Sequence, residues 1–239
     1  MKQFVLGDPH GAYKAVLQCF ERSGFDKDKD ELVVLGDVCD GWPEVKECFD
    51  LLLECKHMVY ILGNHDKWAL EWYTDGYLDG GLPDIWWTSQ GGQNTIRSYG
   101  GIKGMMDKSH IGLLQGAHVL LEESRSGRKQ IFCHGGIDPN KSTDDQEPNS
   151  VIWDRVLIEN ARFKHNQKPD YKYGSFDDIF VGHTTTLVYR TDEPIHSCNV
   201  WMLDTGGGWG GKVTIMDTDT KEYWQSDYPK DLYPDEEGR

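Results

Sequence analysis

The stretch Phe4-Val5-Leu6-Gly7-Asp8-Pro9-His10-Gly11 sets a pattern that the rest of the chain repeats: a short apolar run, a glycine, then residues able to bind a metal. Residues 4–6 read as a buried strand and the glycine as the turn that ends it. The arrangement returns as Gly36-Asp37-Val38-Cys39-Asp40-Gly41 after residues 32–35 and as Gly63-Asn64-His65-Asp66 after 59–62. It returns again as His134-Gly135-Gly136 after 131–133 and as Gly182-His183 after 179–181. Between the first three blocks the apolar spacing turns helical, with Ala12, Val16, Leu17 and Phe20, and then, past Pro43, Val45, Phe49, Leu52 and Leu53. Alternating strand and helix predicts an α/β fold with parallel strands and right-handed crossovers. Near the carboxyl end, residues 200–203 read as a strand. Residues 213–216 and 222–225 read as a hairpin over Asp217-Thr218-Asp219-Thr220, giving a second sheet with antiparallel members. Two stacked, mainly mixed sheets flanked by helices follow, with the polar blocks at strand ends, where open α/β sheets bind ligands.

Any one of these blocks alone is an ordinary loop. Their repetition in one order, each behind a strand, points to a specific chemistry. Hydrolysis of a phosphate ester at neutral pH needs an activated water and a clamp for phosphoryl charge, and two divalent cations about 3.5–4 Å apart supply both. Carboxylates, imidazoles and an amide oxygen are a suitable ligand set for such a pair.

The series GDPHG, GDVCDG, GNHD, HGG and GHT resembles the calcineurin-like metallophosphoesterases, and within them the phosphoprotein phosphatase branch with its bacterial and phage serine/threonine phosphatases. The resemblance implies a four-layer sandwich and a dinuclear metal-dependent phosphatase. It implies that Asp8, His10 and Asp37 hold one metal while Asp37, Asn64, His134 and His183 hold the other, so that Asp37 bridges them. Manganese is the metal it favours, with iron, zinc or magnesium compatible with the same donors. His65 matches the general acid that protonates the leaving alkoxide, and Asp40 the carboxylate that orients it. Arg155, in Val151-Ile152-Trp153-Asp154-Arg155, resembles an arginine that grips phosphate, a task suited to a fork of donors.

Two positions depart from that branch. Its eukaryotic members follow the carboxylate at the position of Asp40 with a second phosphate-binding arginine, where this chain has Gly41 and Trp42; Lys67 and Arg190 are the candidates to replace it. Asp66 stands where glutamate is usual, a variant familiar from diadenosine tetraphosphatases and polynucleotide phosphatases of the same superfamily. Both departures count against phosphoserine specificity, but the resemblance as a whole and the few cations in residues 67–129 keep a serine/threonine protein phosphatase as the leading expectation. The alternative is a hydrolase of dinucleoside polyphosphates or nucleic-acid end phosphates, and a non-enzymatic scaffold is disfavoured because every metal position and His65 are present.

Composition narrows the partners. A net charge of −15 and a pI near 4.9 work against nucleic-acid binding, which relies on Lys and Arg to displace counterions. A phosphorylated protein or small phosphoester is the expected substrate, and no apolar run approaches membrane-spanning length. The six cysteines show no close-spaced pair, and the sequence opens in a strand with no cationic, apolar leader. Reduced core thiols and a cytoplasmic location are expected. At 239 residues one catalytic domain over residues 1–225 is expected, followed by a mobile acidic tail at 226–239. Residues 67–129 break the alternation and read as a helical insert. Its tryptophans Trp68, Trp72, Trp86 and Trp87 are expected to form insert core rather than an aromatic wall for a base or peptide.

Overall fold

Parallel strands that read as continuous apolar runs need cover on both faces, and the chain supplies it by stacking two sheets. The computed structural model describes residues 1–76 and 83–239. The first half contains β1 (Gln3–Leu6), α1 (Tyr13–Ser23), β2 (Glu31–Val34), α2 (Val45–Leu53) and β3 (His57–Tyr60). A helical stretch follows with α3 (Asn64–Glu71), α4 (Ile85–Trp87), α5 (Gln93–Ser98) and α6 (Lys108–Gln115), joined in part by π-helical turns at Trp72–Gly76 and Thr88–Gly92. Then come β4 (Leu120–Arg125), β5 (Arg128–Cys133), α7 (Pro148–Trp153), α8 (Val156–His165), β6 (Asp178–Val181), β7 (Ile195–Ser197) and β8 (Val200–Met202). The chain closes with β9 (Thr214–Asp217), β10 (Tyr223–Gln225) and α9 (Pro229–Leu232).

One sheet has the order β10-β9-β1-β2-β3 and the other β4-β5-β6-β8-β7. In the first, β1, β2 and β3 run parallel with Val5 opposite Val33 and Val33 opposite Val59. In the second, β5, β6 and β8 run parallel and β4 and β7 are antiparallel edges. Val5, Val33, Leu35 and Met216 from one sheet meet Phe132, Phe180 and Leu203 from the other in a buried layer, where the Phe132 and Phe180 rings stack at 4.8 Å. On its outer face the first sheet packs under α1 and α2, and the second under α7 and α8.

Three sequence expectations are corrected. The C-terminal hairpin forms as expected, but it joins the first sheet: β9 lies antiparallel to β1, with Val5 opposite Met216, and all four of its residues are buried. The helical stretch ends at Gln115, because residues 120–125 and 128–133 form a hairpin through Ser126-Gly127, both at positive φ. The part of the expected insert at 77–82 lies outside the described residues. Residues 226–239 are also laid against the body instead of trailing from it. The Tyr233 ring stacks on Trp42 at 5.5 Å and its hydroxyl accepts from the Lys14 amide at 2.9 Å. Arg97 pairs with Glu236 at 2.6 Å. The aromatic residues within the acidic segment supply the anchors that its charge obscured.

Candidate metal centre

The loops leaving β1, β2, β3, β5 and β6 deliver the polar blocks to one place. Donor atoms of Asp8, His10 and Asp37 lie within 4.8 Å of one another, as do those of Asp37, His134 and His183, and all five residues are buried. Asp37 belongs to both groups. Asn64 joins the second, its Oδ1 lying 3.1 Å from Nε2 of His134. The six residues read from sequence as ligands are thus brought together.

The backbone is bent to achieve this. His10, Asp37, Asp40 and His183 have φ of 45°, 50°, 70° and 62°, a left-handed region that side chains with a Cβ rarely adopt. Gly63 allows the third loop to approach, since a Cβ there would lie 2.1 Å from Oδ1 of Asp37. Asp66, at the third position of α3, fixes the second loop. Its carboxylate accepts from the amides of Asp37 (2.7 Å), Val38 (3.0 Å), Cys39 (3.0 Å) and Gly63 (3.1 Å), and from the Tyr60 hydroxyl at 3.0 Å. The carboxylate at this position therefore holds the loop that carries Asp37.

Burial raises the Asp8 carboxyl well above the usual range, and the Asp204 and Asp37 carboxylates push the same way. Burial also raises Asp37, but His134, His65 and His10 outweigh it and hold Asp37 well below that range. His183 is pushed down to about 2 by burial, aided by His134 and Arg155. The ring of His10 donates from Nδ1 to the Cys39 carbonyl at 3.0 Å, and that of His134 from Nδ1 to the Leu35 carbonyl at 2.7 Å. Each bond turns the Nε2 of its ring toward the clusters, an orienting device common at metal sites.

Metal ions fit this donor set. Oδ1 of Asp8 and Nε2 of His183 are buried without a hydrogen-bond partner, a cost that a divalent cation between them and their neighbours would remove. Mixed oxygen and nitrogen donors suit manganese, iron, zinc or magnesium.

The remaining expected residues border the clusters. Nδ1 of His65 is 2.6 Å from Oδ2 of Asp40, and the His65 amide donates to Asp37 Oδ1 at 2.9 Å. Arg155, at the junction of α7 and α8, donates from Nη1 to Thr184 Oγ1 at 2.9 Å and to the His183 carbonyl at 3.3 Å. The surface salt bridge that an Asp-Arg pair suggests is replaced by contacts at the second cluster. Lys67 instead reaches Asn149 Oδ1 at 2.8 Å and Glu71 at 3.6 Å, and Arg190 caps a 3₁₀ turn.

Four residues of the site have no role there in the sequence reading, which places Trp87 in the insert core. Thr95 accepts from the Asp40 amide at 2.8 Å and donates back to its Oδ1 at 2.6 Å, while Trp87 Nε1 donates to Asp40 Oδ2 at 2.9 Å. Asp204 is buried beside Asp8, with its carboxyl raised to about 6 by burial. Its signal was present, since Trp201-Met202-Leu203-Asp204-Thr205-Gly206 repeats the pattern of an apolar run, an acid and a glycine. Arg239 is the fourth, its Nη1 lying 3.1 Å from Nε2 of His10. The tryptophans divide. Trp72 and Trp87 are buried, Trp86 is exposed, and Trp68 packs edge-on to His65 at 4.8 Å and beside Trp153 at 5.3 Å.

A family model described as calcineurin-like phosphoesterase matches residues 1–186. The chain belongs to that family. It is a metal-dependent hydrolase of phosphoric esters. This phosphoesterase is 26% identical over 215 residues to serine/threonine-protein phosphatase 1 of Salmonella typhimurium, covering 89% of each chain. It is 24% identical to the symmetrical bis(5'-nucleosyl)-tetraphosphatase of Neisseria gonorrhoeae, covering 94% of this chain and 95% of the relative. A crystal structure of a metallophosphoesterase from Sphaerobacter thermophilus shares its fold with a TM-score of 0.55 at 17% identity, covering 95% of this chain and 89% of that one. No helix among the phosphoesterase's described residues is long and apolar enough to cross a membrane.

Proposed function

We propose that this phosphoesterase hydrolyses phosphomonoesters on serine and threonine side chains of proteins, holding one metal with Asp8, His10 and Asp37 and another with Asp37, Asn64, His134 and His183. The observation that carries the reading is the sharing of Asp37 by two buried ligand groups with the His65–Asp40 pair directly beside them. Bound there, two divalent ions supply an activated water at neutral pH and neutralise phosphoryl charge, and manganese is the metal we infer. Arg155 holds phosphoryl oxygens through its planar fork of donors. His65 delivers a proton to the departing alkoxide oxygen, and Asp40 fixes its ring through Nδ1 so that Nε2 faces the substrate. The serine/threonine assignment is supported by the Salmonella relative, which matches along most of both chains. A cytoplasmic setting is supported by six cysteines that are all buried and unpaired.

One observation favours a second substrate class. Trp68 and Trp153 form a partly exposed aromatic face against His65 and His183, where a nucleobase could stack. That would suit a dinucleoside polyphosphate, the substrate named for the Neisseria relative. Phosphate release by the manganese-loaded protein from a phosphothreonine peptide, set beside nucleotide release from diadenosine tetraphosphate, separates the two. Higher kcat/KM on the peptide supports the protein phosphatase reading, and higher kcat/KM on the dinucleotide overturns it in favour of the second.

A further inference from the structure

The C-terminal segment ends against the first ligand group. Arg239 donates from its backbone amide to the Gly208 carbonyl at 2.8 Å, from Nη1 to His10 Nε2 at 3.1 Å and from Nη2 to Gln90 Oε1 at 3.4 Å. Its guanidinium lies 4.8 Å from the Trp209 ring centroid, and its Nε is buried without a partner. The aliphatic stem lies in a trough made by two glycines at left-handed φ, Gly41 (97°) and Gly91 (99°). A Cβ on either would come within 3.4 Å or 3.0 Å of Arg239 Cγ and collide with the backbone of His10 or Gly41. The trough requires the absence of side chains at both positions, and the cation that fills it arrives from 148 residues beyond Gly91 in the sequence (239 − 91).

This cation is misplaced if the site holds metals alone. His10 Nε2 is a ligand atom of the first group, so an ion there takes the lone pair that Arg239 now uses and leaves two positive charges adjacent. An anion between them resolves the conflict, and a phosphoryl group is the anion this family handles. Arg155 already stands beside the second group through His183 and Thr184. We propose that Arg239 is a substrate-gripping residue, a second guanidinium that binds the phosphoryl oxygens from the His10 side while Arg155 binds them from the His183 side. The orphaned Nε and the Nη1 released from His10 are the donors that turn to the oxyanion. The proposal rests on the binuclear reading of the site.

The test is titration of the manganese-loaded protein with inorganic phosphate, with metal per chain counted by mass spectrometry. Wild type is compared with Arg239→Ala, Arg239→Lys and Arg97→Ala, the last of which breaks the pair to Glu236 without touching the guanidinium. Loss of a charged, forked donor predicts phosphate binding weaker by about tenfold to a hundredfold in Arg239→Ala with both metals retained. Arg239→Lys recovers part of the loss, since it keeps the charge and not the fork, and Arg97→Ala moves affinity less than Arg239→Ala. Phosphate binding by Arg239→Ala equal to or tighter than wild type overturns the proposal, tighter binding marking the arginine as a plug. Loss of metal in Arg239→Ala also overturns it by making the residue a support for His10. Wild type that takes up no manganese refutes the binuclear reading, an outcome visible before any variant is compared.

Discussion

Oδ2 of Asp40 lies 2.6 Å from Nδ1 of His65, and both side chains are almost wholly buried. Thr95 Oγ1 donates to Asp40 Oδ1 and Trp87 Nε1 donates to Asp40 Oδ2, which keep the carboxylate from rotating away, while the Asp40 amide donates to Thr95 Oγ1 and ties the backbone to the same residue. Asp40→Asn is expected to lower kcat by about a hundredfold to ten-thousandfold, the range for an orienting carboxylate, with manganese content unchanged. Steady-state kinetics with metal analysis checks this, and a kcat near wild type would remove the pair from the mechanism. Thr95→Val is expected to show a smaller loss of the same kind, because Trp87 continues to hold Asp40.

Asp66 accepts five hydrogen bonds, four of them from backbone amides of the loops that carry Asp37 and Asn64. Its replacement by Ala strands those amides in a buried site, and unfolding in urea should show a loss of about 3–5 kcal/mol, at the upper end for a single substitution. Metal uptake should fall with it. Tyr60→Phe removes one bond only and should cost about 1 kcal/mol.

Removing the metals should cost stability in a way that depends on their concentration. A ligand that binds only the folded state at a hundred times its Kd contributes about 2.7 kcal/mol, so chelation should lower the melting temperature of the manganese-loaded protein. Asp37→Ala, which deprives both groups of their shared carboxylate, should bind less than one ion per chain and lose most of the response to chelator. Two ions per chain in that variant would contradict the shared-ligand assignment.

Acid stability should depend on Asp178 at the start of β6. Burial raises its carboxyl, but Lys221 at 3.0 Å and Arg128 at 2.9 Å outweigh it, and Trp201 adds a bond at 3.1 Å, so the net pKa is lowered. The folded value lies below the unfolded one, so the contribution is present above the ordinary carboxylate range near pH 4 and fades as pH falls through the folded value. Asp178→Asn should therefore destabilise the protein at neutral pH, and its deficit against wild type should shrink below pH 4 in acid-unfolding curves.

Much of the fold was legible because apolar runs ending in glycine mark buried parallel strands, and those same glycines place Asp8, Asp37, Asn64, His134 and His183. Edge strands are less visible. β4, Leu-Leu-Glu-Glu-Ser-Arg, carries charges on its open side and reads as polar chain, and nothing local in residues 213–216 says which sheet will receive them. The supports of the site were hidden for a different reason. Trp87, Thr95 and Arg239 reach Asp40 and His10 from segments remote in sequence, and the contact is made by packing, which no spacing rule encodes.

The left-handed torsions of His10, Asp37, Asp40 and His183 each cost about 1 kcal/mol or more, and glycine or asparagine at those positions would relieve part of the strain. Laboratory evolution of this chain toward heat resistance, run with no filter for turnover, would accordingly accumulate its gains at the four positions that chemistry needs, and its hardiest descendants would be inert.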